Sequence, residues 1–122
     1  MKQMSLSPIN LLGAKTIGAA VSGTAFDLGQ SINVGFRNMK GFAQSASGEG
    51  VSLAVHFQQH DTSTASAAGW DLISGGQFTL TSAIGLSQCH FVPTKQYIRT
   101  VVVPTGGSAA VSVAALAEYG IV

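Results

Sequence analysis

Gly50-Val51-Ser52-Leu53-Ala54-Val55-His56-Phe57-Gln58-Gln59 settles the architecture of this chain. Val51, Leu53, Val55 and Phe57 share one side of an extended backbone, and Ser52, Ala54, His56 and Gln58 share the other. Alternation with one apolar face predicts a half-buried antiparallel strand. Downstream, Gln77-Phe78-Thr79-Leu80-Thr81 repeats the pattern in short form. Tyr97-Ile98-Arg99-Thr100-Val101-Val102-Val103 is rich in β-branched and aromatic residues, which predicts a strand buried in part on both faces. Upstream, Ile32, Val34 and Phe36 in phase predict a strand over Ser31–Met39. Thr16–Val21, Thr24–Leu28 and Cys89–Val92 are shorter candidates.

Turn residues separate these runs. Ser22-Gly23, Gly29-Gln30, Ser47-Gly48-Glu49-Gly50, Ser74-Gly75-Gly76 and Pro104-Thr105-Gly106-Gly107 each end a candidate strand, and Asp61–Gly69 reads as an exposed loop. Over Ala109–Tyr119, the alternation of Val111, Val113, Ala115 and Ala117 competes with a short helix capped by Gly120. The strand is preferred, because Pro104–Gly107 has the composition of a hairpin loop that would pair it with Tyr97–Val103. Seven or eight short strands without a convincing helix predict an all-β, antiparallel β-sandwich. Met1–Ala14 carries Met4, Leu6, Ile9, Leu11 and Leu12 without a clean period, and Pro8 breaks any helix. The expected organisation is therefore an irregular N-terminal arm over 1–14 and one sandwich domain over 15–122. The arm is apolar, so it either folds back on its own sandwich or packs on a partner chain.

Composition excludes several function classes. Only 9 % of residues are charged, against about 25 % in ordinary domains, while Gly, Ala, Ser and Thr fill 54 of 122 positions. A net charge of +1 supplies neither the dense basic face that nucleic acid requires nor a polybasic membrane anchor. The uncharged stretches Leu72–Thr94 and Thr100–Ala117 are too broken by Gly and Pro to span a membrane. Leu6–Leu12, interrupted by Ser7, Pro8 and Asn10, is no secretory signal, and the lone Cys89 implies no oxidising compartment. The expectation is a soluble chain made in a cytoplasm.

Candidate chemistry is sparse. His56, His60, Asp61, Cys89 and His90 suggest a metal site, but strand positions four apart lie about 13 Å from each other, beyond chelation distance. Cys89 and His90, being neighbours, face opposite ways, and no nucleophile elbow, phosphate loop or dinucleotide fingerprint is present. No enzyme, metal or cofactor is expected. Trp70 and Tyr97 could stack on a sugar, although a core or lid role suits Trp70 better. Arg99, inside an apolar strand, is expected on an exposed face or paired with Asp27 or Asp71, and is a candidate inter-chain contact if the sandwich assembles.

Thr24-Ala25-Phe26-Asp27-Leu28-Gly29 and Lys95-Gln96-Tyr97-Ile98-Arg99-Thr100-Val101-Val102-Val103, followed by Gly106-Gly107 and the alternating Val111–Ala117, resemble segments of tailed-bacteriophage head cement (decoration) proteins. That resemblance implies a jelly-roll-like sandwich bound to the major capsid protein on the outer surface of the virion head, with no catalytic residues. It also implies self-association, with a homodimer favoured over a homotrimer. In this reading Leu6, Ile9, Leu11 and Leu12 form a strap on a neighbouring subunit, and Arg99 is a possible inter-chain contact. A nearly neutral surface suits such contacts, because few charges need desolvating. Two rival classes remain: a carbohydrate-binding or adhesin module of a tail or fibre, and a small all-β enzyme using His56, His60 or the Cys89-His90 pair.

Overall fold

Val51 is 4 % exposed and Leu53, Val55 and Phe57 are fully buried, so the alternating stretch is a strand with one face in the core. The structure, a computed structural model, describes residues 9–28, 38–45, 50–61, 68–81 and 85–118. These form β1 (Ile9–Ile17), β2 (Val21–Ser22), β3 (Phe26–Asp27), β4 (Asn38–Ser45), β5 (Ser52–His60), β6 (Asp71–Leu80), β7 (Gly85–Phe91), β8 (Tyr97–Thr105) and β9 (Ala109–Glu118). The first sheet runs β1-β9-β4-β7 and the second β2-β8-β5-β6, with β3 also on β8, every pair antiparallel. Counting β2 and β3 as one interrupted edge strand, this is the strand order of a jelly roll.

The inner faces of both sheets supply the core. Leu11, Met39, Val111 and Val113 from the first sheet meet Leu53, Val55, Ile73, Ile98 and Val102 from the second. Burying each of these contributes roughly 1.5–3 kcal/mol relative to exposure. Phe57 is the hub. Its ring stacks on Phe91 across the sandwich, with centroids 4.9 Å apart, and tilts against Phe78 at 6.3 Å. Among the described residues two polar side chains enter the core and both bond to backbone: Ser45 Oγ donates to the Ala110 carbonyl, and Thr100 Oγ1 to the His56 carbonyl at 3.1 Å. At one edge the sheets close on each other. Gly23 donates its N–H to the Thr100 carbonyl at 2.9 Å while its bare Cα lies against the Leu11 carbonyl, where no side chain would fit.

Four expectations need correction. Pro104–Gly107 is not a hairpin loop: β8 pairs with β5, β2 and β3, whereas β9 pairs with β1 and β4. The loop arches from one sheet to the other, and Gly106 and Gly107 take positive φ of 95° and 144° to make the crossing. Ser74-Gly75-Gly76 is no turn either. Between the pairs His56↔Gln77 and Gln58↔Leu72, Phe57 alone opposes residues 73–76, so the glycines form a wide bulge inside β6. Thr16–Val21 is not one strand, because residues 18–20 carry the chain from β1 to β2.

The fourth correction concerns the arm. The expected boundary at residue 14 falls inside β1, which begins at Ile9 and pairs with β9 from Ile9↔Ala115 to Ile17↔Ala109. Leu11 and Leu12 are 1 % and 7 % exposed in the chain's own core, and Ile9 packs partly against it. These three side chains fold back in cis, so Leu11 and Leu12 are not free to strap a neighbour. Leu6, and most of the strand expected over Ser31–Met39, lie outside the described residues.

Candidate functional site

Two outer faces remain once the core is assigned. On the second sheet, β5 and β8 are register partners, so His56, Gln58 and His60 stand beside Val101, Arg99 and Tyr97. Arg99 does not meet solvent bare. Its Nε donates to Gln58 Oε1 at 2.8 Å, and its guanidinium lies 4.6 Å over the centre of the Trp70 ring. The His60 ring tilts against the same indole at 5.3 Å, and its Nε2 donates to the Ala68 carbonyl at 2.8 Å. Trp70 is thus a half-buried plate clamped by a cation and an imidazole just before β6. Partial burial draws the Arg99 pKa down from the ordinary guanidinium value.

Polar bonds fix the rim of this end. Lys95 Nζ donates to Asp71 Oδ2 at 2.8 Å, which holds the carboxyl below its usual range and raises the ammonium. Gln59 takes the Thr94 N–H at 2.7 Å and donates to its hydroxyl at 3.1 Å, while Gln96 Nε2 donates to Asp27 Oδ1 at 3.0 Å. Of the partners suggested for Arg99, Asp71 accepts from Lys95, and Asp27 accepts from Gln96. The platform can recognise a flat or polar group.

The outer face of the first sheet is different in kind. Its register sets three rows: Ser112-Gln44-Leu86, Ala114-Phe42-Gln88 and Leu116-Lys40-His90. Lys40 is the one fixed charge in these rows, and Leu86 is 64 % exposed. The result is a surface of apolar and mostly uncharged polar groups around a single lysine. Sequence inspection missed it, because β4 and most of β7 were not recognised as strands, although Leu86, Gln88 and His90 alternate with Ser87 and Cys89.

Neither metal nor thiol chemistry gathers support. Among the described residues no three His, Cys, Asp or Glu side chains converge as metal ligands. Cys89 turns partly into the core, and burial pushes its pKa up to about 11, so near neutrality it is a thiol rather than a thiolate. Its neighbour His90 is on the exposed outer face.

No protein-family model matches the sequence, and no curated protein is similar to it at a significant level. Solved structures do share the fold. The PBSX exported protein XepA superposes with a TM-score of 0.68 at 13 % identity, over 95 % of this chain and 38 % of that one. The SPBc2 prophage-derived protein YomS gives 0.54 at 11 % identity, over 97 % of this chain and 99 % of that one. The infectious bursal disease virus VP2 subviral particle gives 0.57 at 13 % identity, over 95 % and 33 %. This chain thus spans well under half the length of XepA and VP2. At such identities the likeness establishes one thing, the two-sheet antiparallel sandwich.

Proposed function

We propose that this chain is a non-enzymatic structural protein of a phage virion, bound to the outside of the head, where it stabilises the shell of the major capsid protein. The charge-poor outer face of the first sheet carries this reading: the Ala114-Phe42-Gln88 row and its neighbours can be buried with little charge to desolvate. Repetition over a shell then adds the avidity that a shallow face lacks singly. The fold shared with the PBSX exported protein, a prophage-derived protein and a virus subviral-particle protein supports the setting. The test is binding of purified chain to heads of the encoding phage prepared without it. Saturable binding that raises the shell's melting temperature is expected, with occupancy falling at least tenfold for Phe42→Glu or Ala114→Glu. Wild-type chain that leaves the heads bare refutes the assignment.

A second reading, a carbohydrate-binding module of a tail or fibre, draws on Trp70 with Tyr97 on the other face. It ranks lower because Arg99 already lies over the indole ring. Glycan-array binding abolished by Trp70→Ala would bring it to the front.

A further inference from the structure

We infer that the surface on which the first sheet docks presents a carboxylate, from an Asp or Glu side chain, to Lys40 and His90. The inference rests on the outer face of that sheet being the contact proposed above, and it names the partner's chemistry at one point. Lys40 of β4 and His90 of β7 are register partners, and Leu116 of β9 stands on the other side of Lys40. Phe42 comes next along the same face of β4. Lys40 is half-buried in this setting and His90 is exposed. Among the described residues Lys40 takes part in no ion pair.

An interface centred on Phe42 does not leave this lysine in water. Rows two residues apart along a strand are about 7 Å from each other. A standard contact covers about 800 Å² of each partner, a patch that reaches roughly 15 Å from its centre. Lys40 therefore lies about 8 Å inside the rim, and its stem is too short to return the ammonium to solvent. A charge buried without a counter-charge is far more costly than one that is paired. Covering the Phe42 row thus demands an anion from the partner at this point.

Charge count selects the anion. One ammonium beside one imidazole matches a single carboxylate, which accepts a hydrogen bond from each, whereas nucleic acid needs many cations in a row. A second copy of the same face does not answer the lysine, because the rows Ser112-Gln44-Leu86, Ala114-Phe42-Gln88 and Leu116-Lys40-His90 contain no Asp or Glu. The contact is with a different surface. Lys40 also fixes the pose on it, since a slipped arrangement leaves both charges unpaired.

Dissociation rates of purified chain from heads of the encoding phage prepared without it test the inference, and the sign of one substitution decides. Against a carboxylate, Lys40→Met strands a buried anion, so dissociation is expected to speed up about tenfold or more with little change in association rate. Lys40→Arg keeps the charge and should stay within about threefold of wild type. Against an uncharged surface, Lys40→Met spares the desolvation of an ammonium and binding tightens. A Lys40→Met chain that binds as tightly as wild type, or more tightly, overturns the inference. So does an equal loss in Glu118→Gln, one row further on and opposite Asn38, because the counter-charge would then belong to the chain itself. Should Lys40→Met misfold by far-ultraviolet circular dichroism, Lys40→Gln is read in the same way. Wild-type chain that leaves the heads bare removes both this inference and the function it rests on. Full binding by Lys40→Met together with loss in Phe42→Glu removes the carboxylate alone.

Discussion

Gly41 of β4 lies directly against the ring of Phe57 in β5: a Cβ at position 41 would fall 2.5 Å from Phe57 Cζ and 2.8 Å from Phe91 Cε2. The stacked pair of rings fills the space that a side chain on β4 would occupy. Gly41→Ala is therefore expected to cost about 1–3 kcal/mol by overpacking, seen as a lower urea midpoint with an unchanged slope. Combining it with Phe57→Leu, which frees that space, should cost less than the two single changes added together. Strict additivity in the double-mutant cycle would show that the ring is not what excludes the methyl group.

Arg99 should report on Trp70. The chain has one tryptophan, so its emission is read without interference. Arg99→Met removes the guanidinium from the indole and the bond to Gln58, with an expected loss of about 1 kcal/mol and a shift of the emission maximum. Gln58→Ala should produce a smaller change in the same direction. An emission spectrum unmoved by Arg99→Met would contradict the clamped geometry.

Cys89 gives a pH signature. Burial favours the neutral thiol, so the folded chain holds that proton to about pH 11 while the unfolded chain releases it near 9. Between those values the folded state binds more protons, and stability falls as pH rises. The contribution is whole below pH 9 and is lost through 11. Wild type should lose more stability than Cys89→Ala between pH 8.5 and 11, and alkylation of the native thiol at pH 8 should be far slower than in denaturant. Parallel stability curves for the two chains would place the thiol in water.

Strands with one apolar face were legible in the sequence, and strands that make room for others were not. β5 announces itself because Leu53, Val55 and Phe57 are large and alternate. β4 turns Met39, Gly41, Ala43 and Ser45 inward, three of them small and Gly41 set against the Phe57 and Phe91 rings, so its inner face lacks the usual apolar signature. β1 hides for another reason: register shifts put adjacent Leu11 and Leu12 both in the core, which erases the period of two. Glycines misled in β6, where Gly75-Gly76 marks a bulge rather than an end.

The candidate surfaces were harder still. Trp70 precedes β6, and its meeting with Arg99 depends on strand partners that local pattern does not specify. The preference for strand over helix across Ala109–Glu118 was right although the hairpin argument behind it was not: β9 is held by β1 and β4.

That β1 starts opposite the far end of β9, with Ile9 facing Ala115, has a practical meaning. Entry and exit of the sandwich emerge side by side, so the unit can be spliced into a surface loop of a host protein through two short joints. An engineer displaying the sandwich on a scaffold can use the same two joints.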